Sequence, residues 1–231
     1  MIDILFPKIC LLCDNSLEKT IICRSCSEAF SFIDNARVCD VCGVPYSSLS
    51  EQKLHLCGNC ISNTESLLKV RSVLLYKDKL RDLLHYFKYS SKMYIADFLS
   101  DLVIDRFPSD LSGFDIIVPV PLHIRRLQER GYNQTVLIGK VLAGNLGVRL
   151  DLFSLKKVKY TKPQVDMSNF VARAKNVKNS FHVSNKKMFS GKTVLLLDDV
   201  YTSGSTIREC SKQLIEAGAK YVFALTIARA V

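Results

Sequence analysis

Eight of the nine cysteines lie within the first 60 residues, where they form four Cys-x-x-Cys pairs. The pairs are Cys10 and Cys13, Cys23 and Cys26, Cys39 and Cys42, and Cys57 and Cys60. Two thiolates at this spacing reach one tetrahedral metal ion, so four pairs supply ligands for two closed sites. A redox Cys-x-x-Cys is normally a single motif attached to a larger fold. The spacing therefore predicts two structural zinc sites with no open position for catalysis.

The pairing of these cysteines has two alternatives. Sequential pairing places the first two pairs on one ion and the last two on the other, whereas a cross-braced module joins the first pair to the third. The short interval between Cys13 and Cys23 favours sequential pairing. A segment of about 60 residues with few large apolar side chains needs metal in order to fold. The ninth cysteine, Cys210, shares a helix face with apolar residues and is predicted to be a core residue.

A second chemistry-bearing segment spans residues 194–206. An apolar run is followed by Asp198 and Asp199, then by Thr202, Ser203, Gly204, Ser205 and Thr206 at the start of a predicted helix. Free N–H groups and the positive end of the dipole bind phosphate at a helix N-terminus. The hydroxyls add donors, and Gly204 lets the backbone approach a ligand closely.

The two acids distinguish this segment from an ordinary capped turn. A turn with an N-cap would explain Ser205 or Thr206, but not Asp198 and Asp199. Two adjacent carboxylates at the end of a buried strand are costly unless they meet hydroxyls, amides or a metal. A ribose diol with Mg²⁺ nearby would satisfy them, so the segment predicts a site for a phosphorylated ribose.

The elements that must position these residues begin near Val70, where the pattern becomes apolar strands alternating with amphipathic helices. Strands are predicted at 71–76, 115–121, 193–197 and 220–228, and helices at 78–93, 94–104, 133–146 and 206–217. Residues 149–185 are basic and irregular, which indicates either a mobile functional loop or a small β excursion. The alternation predicts an α/β fold with a mostly parallel sheet covered by helices on both faces.

The net charge of +10 is concentrated in one stretch. Residues 122–192 contain fifteen Lys and Arg against three acids, a net charge of +12. Such a stretch is either a solvated surface or a field for polyphosphate or nucleic acid. The sequence has no apolar run of the roughly 20 residues that span a bilayer, and residues 1–8 do not resemble a signal peptide. We therefore expect a cytoplasmic protein whose cysteines stay reduced.

Residues 194–206 resemble the signature of type I phosphoribosyltransferases. More of the chain resembles the ComF family of late-competence DNA-uptake proteins. The resemblance rests on Phe6-Pro7, the double zinc ribbon, residues 76–89, Val118-Pro119-Val120-Pro121-Leu122-His123, residues 125–134, and residues 159–181. It implies a double zinc ribbon at residues 1–66 and a phosphoribosyltransferase-like domain at residues 67–231.

The resemblance also implies roles for individual residues. Asp198 and Asp199 would contact the ribose hydroxyls of 5-phosphoribosyl-1-pyrophosphate, bound with Mg²⁺, and residues 202–206 would hold its 5-phosphate. The turn after Pro121, with Leu122 and His123, would bind the pyrophosphate, and residues 156–180 would form a hood over the site. Candidates for contact with pyrophosphate or nucleic acid are Arg125, Arg126, Arg130, Lys159, Lys162 and Arg173.

Three functions remain open from the sequence. The first is a DNA-uptake factor that handles single-stranded DNA in the cytoplasm or peripherally at the inner face of the membrane. Its aromatic residues Tyr132, Tyr160, Phe170 and Phe181 would stack on bases, although packing is the more common role for such residues. The second is an active transferase on an unidentified nucleobase or amine; Thr202, however, stands where oxopurine salvage enzymes have an acid that serves as general base. The third is an adaptor whose ribbons dock an uptake channel or helicase.

Overall fold

The structure is a computed structural model that describes residues 8–17, 20–46, 55–62, 68–161 and 175–230. The strands are β1 (Leu68–Leu75), β2 (Ile116–Pro119), β3 (Arg149–Leu150), β4 (Leu155–Lys157), β5 (Phe181–Val183), β6 (Thr193–Tyr201) and β7 (Tyr221–Arg229). The helices are α1 (Arg24–Glu28), α2 (Gly58–Ser62), α3 (Asp78–Tyr89), α4 (Ile95–Asp105), α5 (Ile124–Arg130), α6 (Gln134–Leu146) and α7 (Ser205–Glu216). The predicted domain boundary at residues 66 and 67 lies outside the described residues.

Within the described residues, a five-stranded sheet has the order β1-β7-β6-β2-β3, and every pair in it is parallel. Its central strand β6 contains Val194, Leu195, Leu196 and Leu197, all of them buried. A continuous apolar run of this kind is typical of a parallel strand that is covered on both faces. The predicted parallel α/β fold is therefore confirmed.

Different elements cover the two faces of the sheet. Helices α3, α4 and α6 pack on one face through residues such as Phe87, Leu99 and Leu142. On the other face lie α7 and the antiparallel hairpin of β4 and β5, with Leu214 and Phe181 in the core. Cys210 also lies in this second core and is fully buried, as the sequence predicts.

The cysteine-rich segment packs directly against the sheet. Phe30 shares a core cluster with Leu74 of β1. Next to them, the amide of Ile33 donates to the Val73 carbonyl at 2.9 Å, and the amide of Leu75 donates to the Ser31 carbonyl at 2.8 Å. The segment between the two ribbons therefore covers the outer edge of β1, which would otherwise present unpaired backbone groups.

Several elements differ in length from their predictions. Strand β6 continues beyond Leu197 to Tyr201, because Asp198 stays in register with Thr226 of β7. Helix α3 ends at Tyr89 rather than at residue 93, and Ser91 follows with a positive φ of 53°. In the region 149–185, the described residues form β3 and the β4–β5 hairpin, so that part is a small β excursion. No helix among the described residues has the length and apolar character needed to cross a bilayer.

Candidate functional site: a polar cavity beside two zinc ribbons

The eight cysteines of the N-terminal segment form two clusters. Cys10, Cys13, Cys23 and Cys26 form one, and Cys39, Cys42, Cys57 and Cys60 form the other, with the sulfur atoms of each quartet within 4.8 Å of one another. The Sγ atoms of Cys13 and Cys23 are 3.5 Å apart, and those of Cys42 and Cys57 are 3.6 Å apart. Four thiolates on one zinc ion at about 2.3 Å lie about 3.8 Å from each other. The grouping is the sequential one, and the donor set fits two closed zinc sites.

The two clusters also share a backbone arrangement. The amide of Cys23 points at Cys10 Sγ at 3.3 Å, and the amide of Cys57 points at Cys39 Sγ at 3.4 Å. An N–H group directed at sulfur favours the thiolate, which is the form that binds zinc. The two ribbons therefore share one local arrangement, in which the backbone amide of the third cysteine points at the sulfur of the first.

A cavity of about 390 Å³ opens at the carboxyl ends of β2 and β6, where ligands commonly bind in open α/β sheets. Among the residues that line it are Lys88, Tyr89, Leu122, Arg126, Arg130, Gln134, Lys157, Asp198, Asp199, Thr202 and Thr206. Residues from α3, α5, α6, the β4–β5 hairpin and the β6–α7 loop thus meet in one place.

The floor of the cavity carries its acidic pair. Lys88 Nζ lies 2.7 Å from Asp199 Oδ2, and both side chains are largely buried, at 21% and 16% exposed. Burial, together with the neighbouring Asp199 carboxylate, raises the pKa of Asp198 to about 7. Burial would lower the pKa of Lys88, but the charge and hydrogen bond of Asp199, together with the nearby Asp198, make the net shift upward. The floor holds one firm ion pair and one carboxyl group that titrates near neutral pH.

The β6–α7 loop has the backbone conformation that its glycine predicts. Gly204 has a φ of 73°, and a Cβ placed on it would overlap the ring and hydroxyl of Tyr201. Ser203 Oγ and Ser205 Oγ are hydrogen-bonded at 2.8 Å, and Arg208 donates to the Ser203 carbonyl. Of the five predicted phosphate-binding residues, Thr202 and Thr206 line the cavity. Ser203, Gly204 and Ser205 are not among its lining residues.

Opposite the acids lies a basic wall made by α5. His123 caps this helix, with Nδ1 accepting from the Arg125 amide at 3.3 Å. Arg126 and Arg130 line the cavity, and Arg130 donates to Gln134 Oε1 at 2.8 Å. Arg125 and Lys159 are exposed and do not line the cavity. Lys162 and Arg173 lie outside the described residues.

Aromatic rings lie beneath several of these cations. The guanidinium groups of Arg125 and Arg126 are 5.6 and 5.8 Å from the ring centre of Tyr160. Arg130 is 5.2 Å from the ring centre of Tyr89. Tyr89 and Tyr160 are 60% and 45% exposed, so a ligand has access to both rings.

The other predicted stacking residues pack in the interior. Tyr132 is buried, and its hydroxyl donates to the Phe87 carbonyl. Phe181 is buried in the second core, and Phe170 lies outside the described residues. Of the predicted stacking residues that the structure describes, Tyr160 is the exposed one.

Sequence reasoning did not identify Lys88, Lys157 and Gln134 as cavity residues. Lys88 had a usable signal, because it lies four positions after the buried Leu84 and so extends the apolar face of α3. A lysine in that position must find a counter-charge inside the fold. Burial lowers the pKa of Lys157, and nothing in the basic stretch around it distinguished it from its neighbours.

Comparison with known proteins agrees with this architecture. Residues 1–61 match the model of the double zinc ribbon domain, and residues 133–230 match that of the phosphoribosyl transferase domain. DNA utilization protein YhgH of Salmonella typhimurium is 31% identical over 223 residues, 94% of each chain. Competence protein F of Haemophilus influenzae is 31% identical over 96% of each chain. Competence protein ComFC of Bacillus subtilis is 28% identical over 96% of this chain and 95% of its own.

The fold and the two cysteine quartets define a protein with a phosphoribosyltransferase-type domain behind a double zinc ribbon. The similarity to the competence and DNA utilization proteins covers nearly the whole of both chains, and the chain belongs to their family, the ComF family.

Proposed function

We propose that this protein handles single-stranded DNA in natural transformation or DNA uptake, and that its cavity binds 5-phosphoribosyl-1-pyrophosphate with Mg²⁺. The names of its relatives support the first part. The ligand-binding part rests on one structural observation. The acidic pair, the N-terminus of α7 and the basic wall of α5 meet around a single cavity of about 390 Å³.

Each chemical group of the ligand corresponds to a different group of cavity residues. Asp198 and Asp199 accept hydrogen bonds from the ribose hydroxyls, because carboxylates offer only acceptors. The β6–α7 loop with Thr202 and the first turn of α7 with Thr206 receive the 5-phosphate. We expect the diphosphate beside the turn after Pro121, with Leu122 and His123, and near the guanidinium groups of Arg126 and Arg130. Of these residues, Leu122, Arg126 and Arg130 line the cavity. The Gln134 Nε2 group, buried without a partner in the described part of the chain, is a further donor.

The acidic pair also suits a metal-bound ligand. Mg²⁺ prefers oxygen ligands and usually binds through one or two carboxylates together with substrate phosphates. Asp198 and Asp199 are the carboxylates that would take part, and the ion would neutralise the diphosphate. In the free protein Lys88 neutralises Asp199 instead. Binding of Mg²⁺ at Asp199 therefore has to compete with the existing Lys88–Asp199 ion pair.

The DNA part of the proposal draws on the mouth of the cavity. Tyr160, with Arg125 and Arg126 close to its ring, offers a stacking face beside phosphate-binding cations. Base stacking on an aromatic side chain contributes about 1–3 kcal/mol per base, and backbone contacts make such binding salt-dependent.

A direct test titrates 5-phosphoribosyl-1-pyrophosphate and Mg²⁺ into the zinc-loaded protein by calorimetry. We expect saturable binding that the Asp198→Ala/Asp199→Ala double variant loses. Asp101→Ala, at an exposed site on α4, is the matched control and should bind as the wild type does. No heat at millimolar ligand from folded wild-type protein would refute the proposed site.

A separate titration with fluorescent single-stranded DNA tests the other part. The affinity should fall steeply between about 50 and 200 mM salt, because neutralised phosphates release counterions. Tyr160→Ala should weaken binding about 5-fold or more, by the stacking range above, with Tyr46→Ala in the second ribbon as the control. Equal affinity at both salt concentrations would contradict DNA handling by this chain.

A second candidate function is transfer of the phosphoribosyl group to an unidentified nucleobase or amine. The observation in its favour is Asp198, whose pKa of about 7 suits a general acid or base. Release of pyrophosphate that depends on an added nucleobase would support this function.

A further inference from the structure

Two buried arginines attach the second zinc ribbon to the sheet. Arg71 of β1 is 2% exposed and donates from Nη1 to the carbonyls of Cys39 and Asp40 at 3.3 and 3.2 Å. Arg229, the last residue of β7, is 6% exposed and donates from Nη1 to the Cys42 carbonyl at 2.6 Å. Both therefore hold backbone oxygens of the Cys39–Cys42 knuckle.

Arg229 also faces the sulfur of a zinc ligand. Its Nη2 lies 4.0 Å from Cys42 Sγ. Arg71 has a carboxylate partner, Asp110, at 2.6 Å, whereas no carboxylate pairs with Arg229 in the part of the chain that the structure describes. A buried cation needs a nearby negative charge. A zinc ion bound by four thiolates carries a net charge of −2. The zinc-loaded second site would therefore supply the negative charge that balances Arg229.

The same guanidinium supports the phosphate loop. It lies 4.3 Å from the ring centre of Tyr201, which is buried beneath Gly204. The Tyr201 carbonyl accepts from the Ala230 amide at 2.9 Å, directly after Arg229 in the chain. A cavity of about 540 Å³ separates the ribbon from the loop, and Cys42, Tyr201, Ser203 and Arg229 all line it. Arg229 thus bridges the zinc knuckle and the residue under the loop.

The first ribbon has no such link among the described residues. Its knuckle is held by Lys79, whose Nζ donates to the Leu12 carbonyl at 2.8 Å, and by apolar packing around Phe30. Lys79 lies on α3 outside the lining of the polar cavity. The two zinc sites therefore differ in their distance from the loop, although their local designs match.

We propose that Arg229 is a positioning residue that couples the second zinc site to the phosphate loop. Zinc in that site fixes the guanidinium, which fixes Tyr201 and the conformation of residues 202–204. A bound phosphate ligand then stabilises the zinc-loaded state in return, because coupling between two binding sites is reciprocal. This inference rests on the proposed ligand, and it adds that ligand binding stabilises zinc in the second site but not in the first.

The test follows zinc release from the full-length protein into a chromophoric chelator, with and without 5-phosphoribosyl-1-pyrophosphate and Mg²⁺. We expect the ligand to slow release of one zinc equivalent about 5-fold or more, the lower end of typical coupling, and to leave the other unchanged. A Cys57→Ser variant, which lacks one ligand of the second site, identifies the equivalent that belongs to that site.

Variants separate coupling from general stability. Arg229→Met should release the second zinc faster, abolish protection by the ligand and weaken ligand binding. Arg229→Lys, which keeps the charge but loses the planar fork, should restore protection in part. Lys79→Met is the matched control: it should speed release of the first zinc and leave ligand affinity and protection of the second zinc unchanged.

Failure of the proposed function and failure of the coupling give different results. If calorimetry shows that the wild type binds no ligand, the proposed function fails. If ligand binds but protects both zinc ions equally or neither, or if Arg229→Met releases zinc at the wild-type rate, the coupling is refuted.

Discussion

Asp198 is the residue of the cavity whose charge depends most on conditions near neutral pH. Its pKa of about 7 arises from burial and from the adjacent Asp199 carboxylate. Binding of Mg²⁺ or of ribose hydroxyls favours the ionised form. The free protein therefore has to release a proton from Asp198 when the ligand binds at pH values below 7.

We predict that ligand affinity rises with pH up to about 7 and changes little above it. Well below pH 7 the loss approaches tenfold per pH unit, because one proton leaves for each ligand bound. The ligand phosphate itself titrates near pH 6. Calorimetry at pH 6, 7 and 8 should therefore compare the wild type with Asp198→Asn, which keeps only the dependence that the ligand contributes. Parallel pH profiles for the two proteins would contradict this assignment.

Lys88 offers a second test at the level of a single residue. Removing one partner of a largely buried pair leaves an uncompensated charge, and the residual exposure of both side chains reduces the usual cost. Lys88→Met should lower the free energy of unfolding by about 1–3 kcal/mol at pH 7.5. The loss should be smaller at pH 5, where Asp198, with its raised pKa, is neutral and adds no negative charge to the site. Urea denaturation measures both values.

Two further variants control this prediction. Lys212→Met breaks an exposed pair with Glu216 on α7 and should leave stability nearly unchanged at either pH. Lys88→Met/Asp199→Asn removes both charges and should recover much of the loss. Equal destabilisation of Lys88→Met at pH 5 and pH 7.5 would show that packing, and not charge, explains the effect.

At the scale of elements, the β6–α7 loop shows why one backbone conformation is required. Gly204 is held at a φ of 73° with Tyr201 directly behind it, so a methyl group meets both an unfavourable backbone region and a side chain. Gly204→Ala should cost about 1–2 kcal/mol of stability and should weaken ligand binding at least tenfold.

A matched substitution lies in α6. Gly144 is helical with no atom within 4 Å of an added Cβ, so Gly144→Ala should leave binding unchanged and stabilise the protein by about 0.5–1 kcal/mol. Thermal unfolding and calorimetry distinguish the two variants. Retained ligand affinity in Gly204→Ala would indicate that the loop does not need this conformation.

The sequence predicted those parts of the site that are local. Asp198, Asp199 and Thr206 belong to one strand, turn and helix, so their proximity follows from the chain itself. The two cysteine quartets are local in the same sense. Lys88 meets Asp199 across 111 positions through the packing of α3 against β6, and no local pattern specifies that pairing. The contacts of Arg71 and Arg229 with the Cys39–Cys42 knuckle depend on tertiary docking in the same way.

At the scale of the whole molecule, the zinc ribbons share the core of the larger domain. Cys10, Ile22 and Phe30 pack in one cluster with Leu74 and with the buried face of α3. We predict that removal of zinc with a strong chelator lowers the midpoint of thermal unfolding of the whole chain in a single transition. Differential scanning calorimetry of the zinc-loaded and zinc-free forms measures it, and re-addition of zinc is the control. A separate low-temperature transition with an unchanged main peak would mean that the ribbons unfold independently.

The backbone pairing of Ser31 and Ile33 with β1 has a practical consequence for anyone who handles the protein. If chelation releases this segment, the freed edge of β1 becomes a template on which a second molecule can add a strand. Material purified or stored in chelating buffers should then turn cloudy and form β-rich precipitates faster than it loses helical signal. Supplying zinc during expression and storage would keep the same preparation clear.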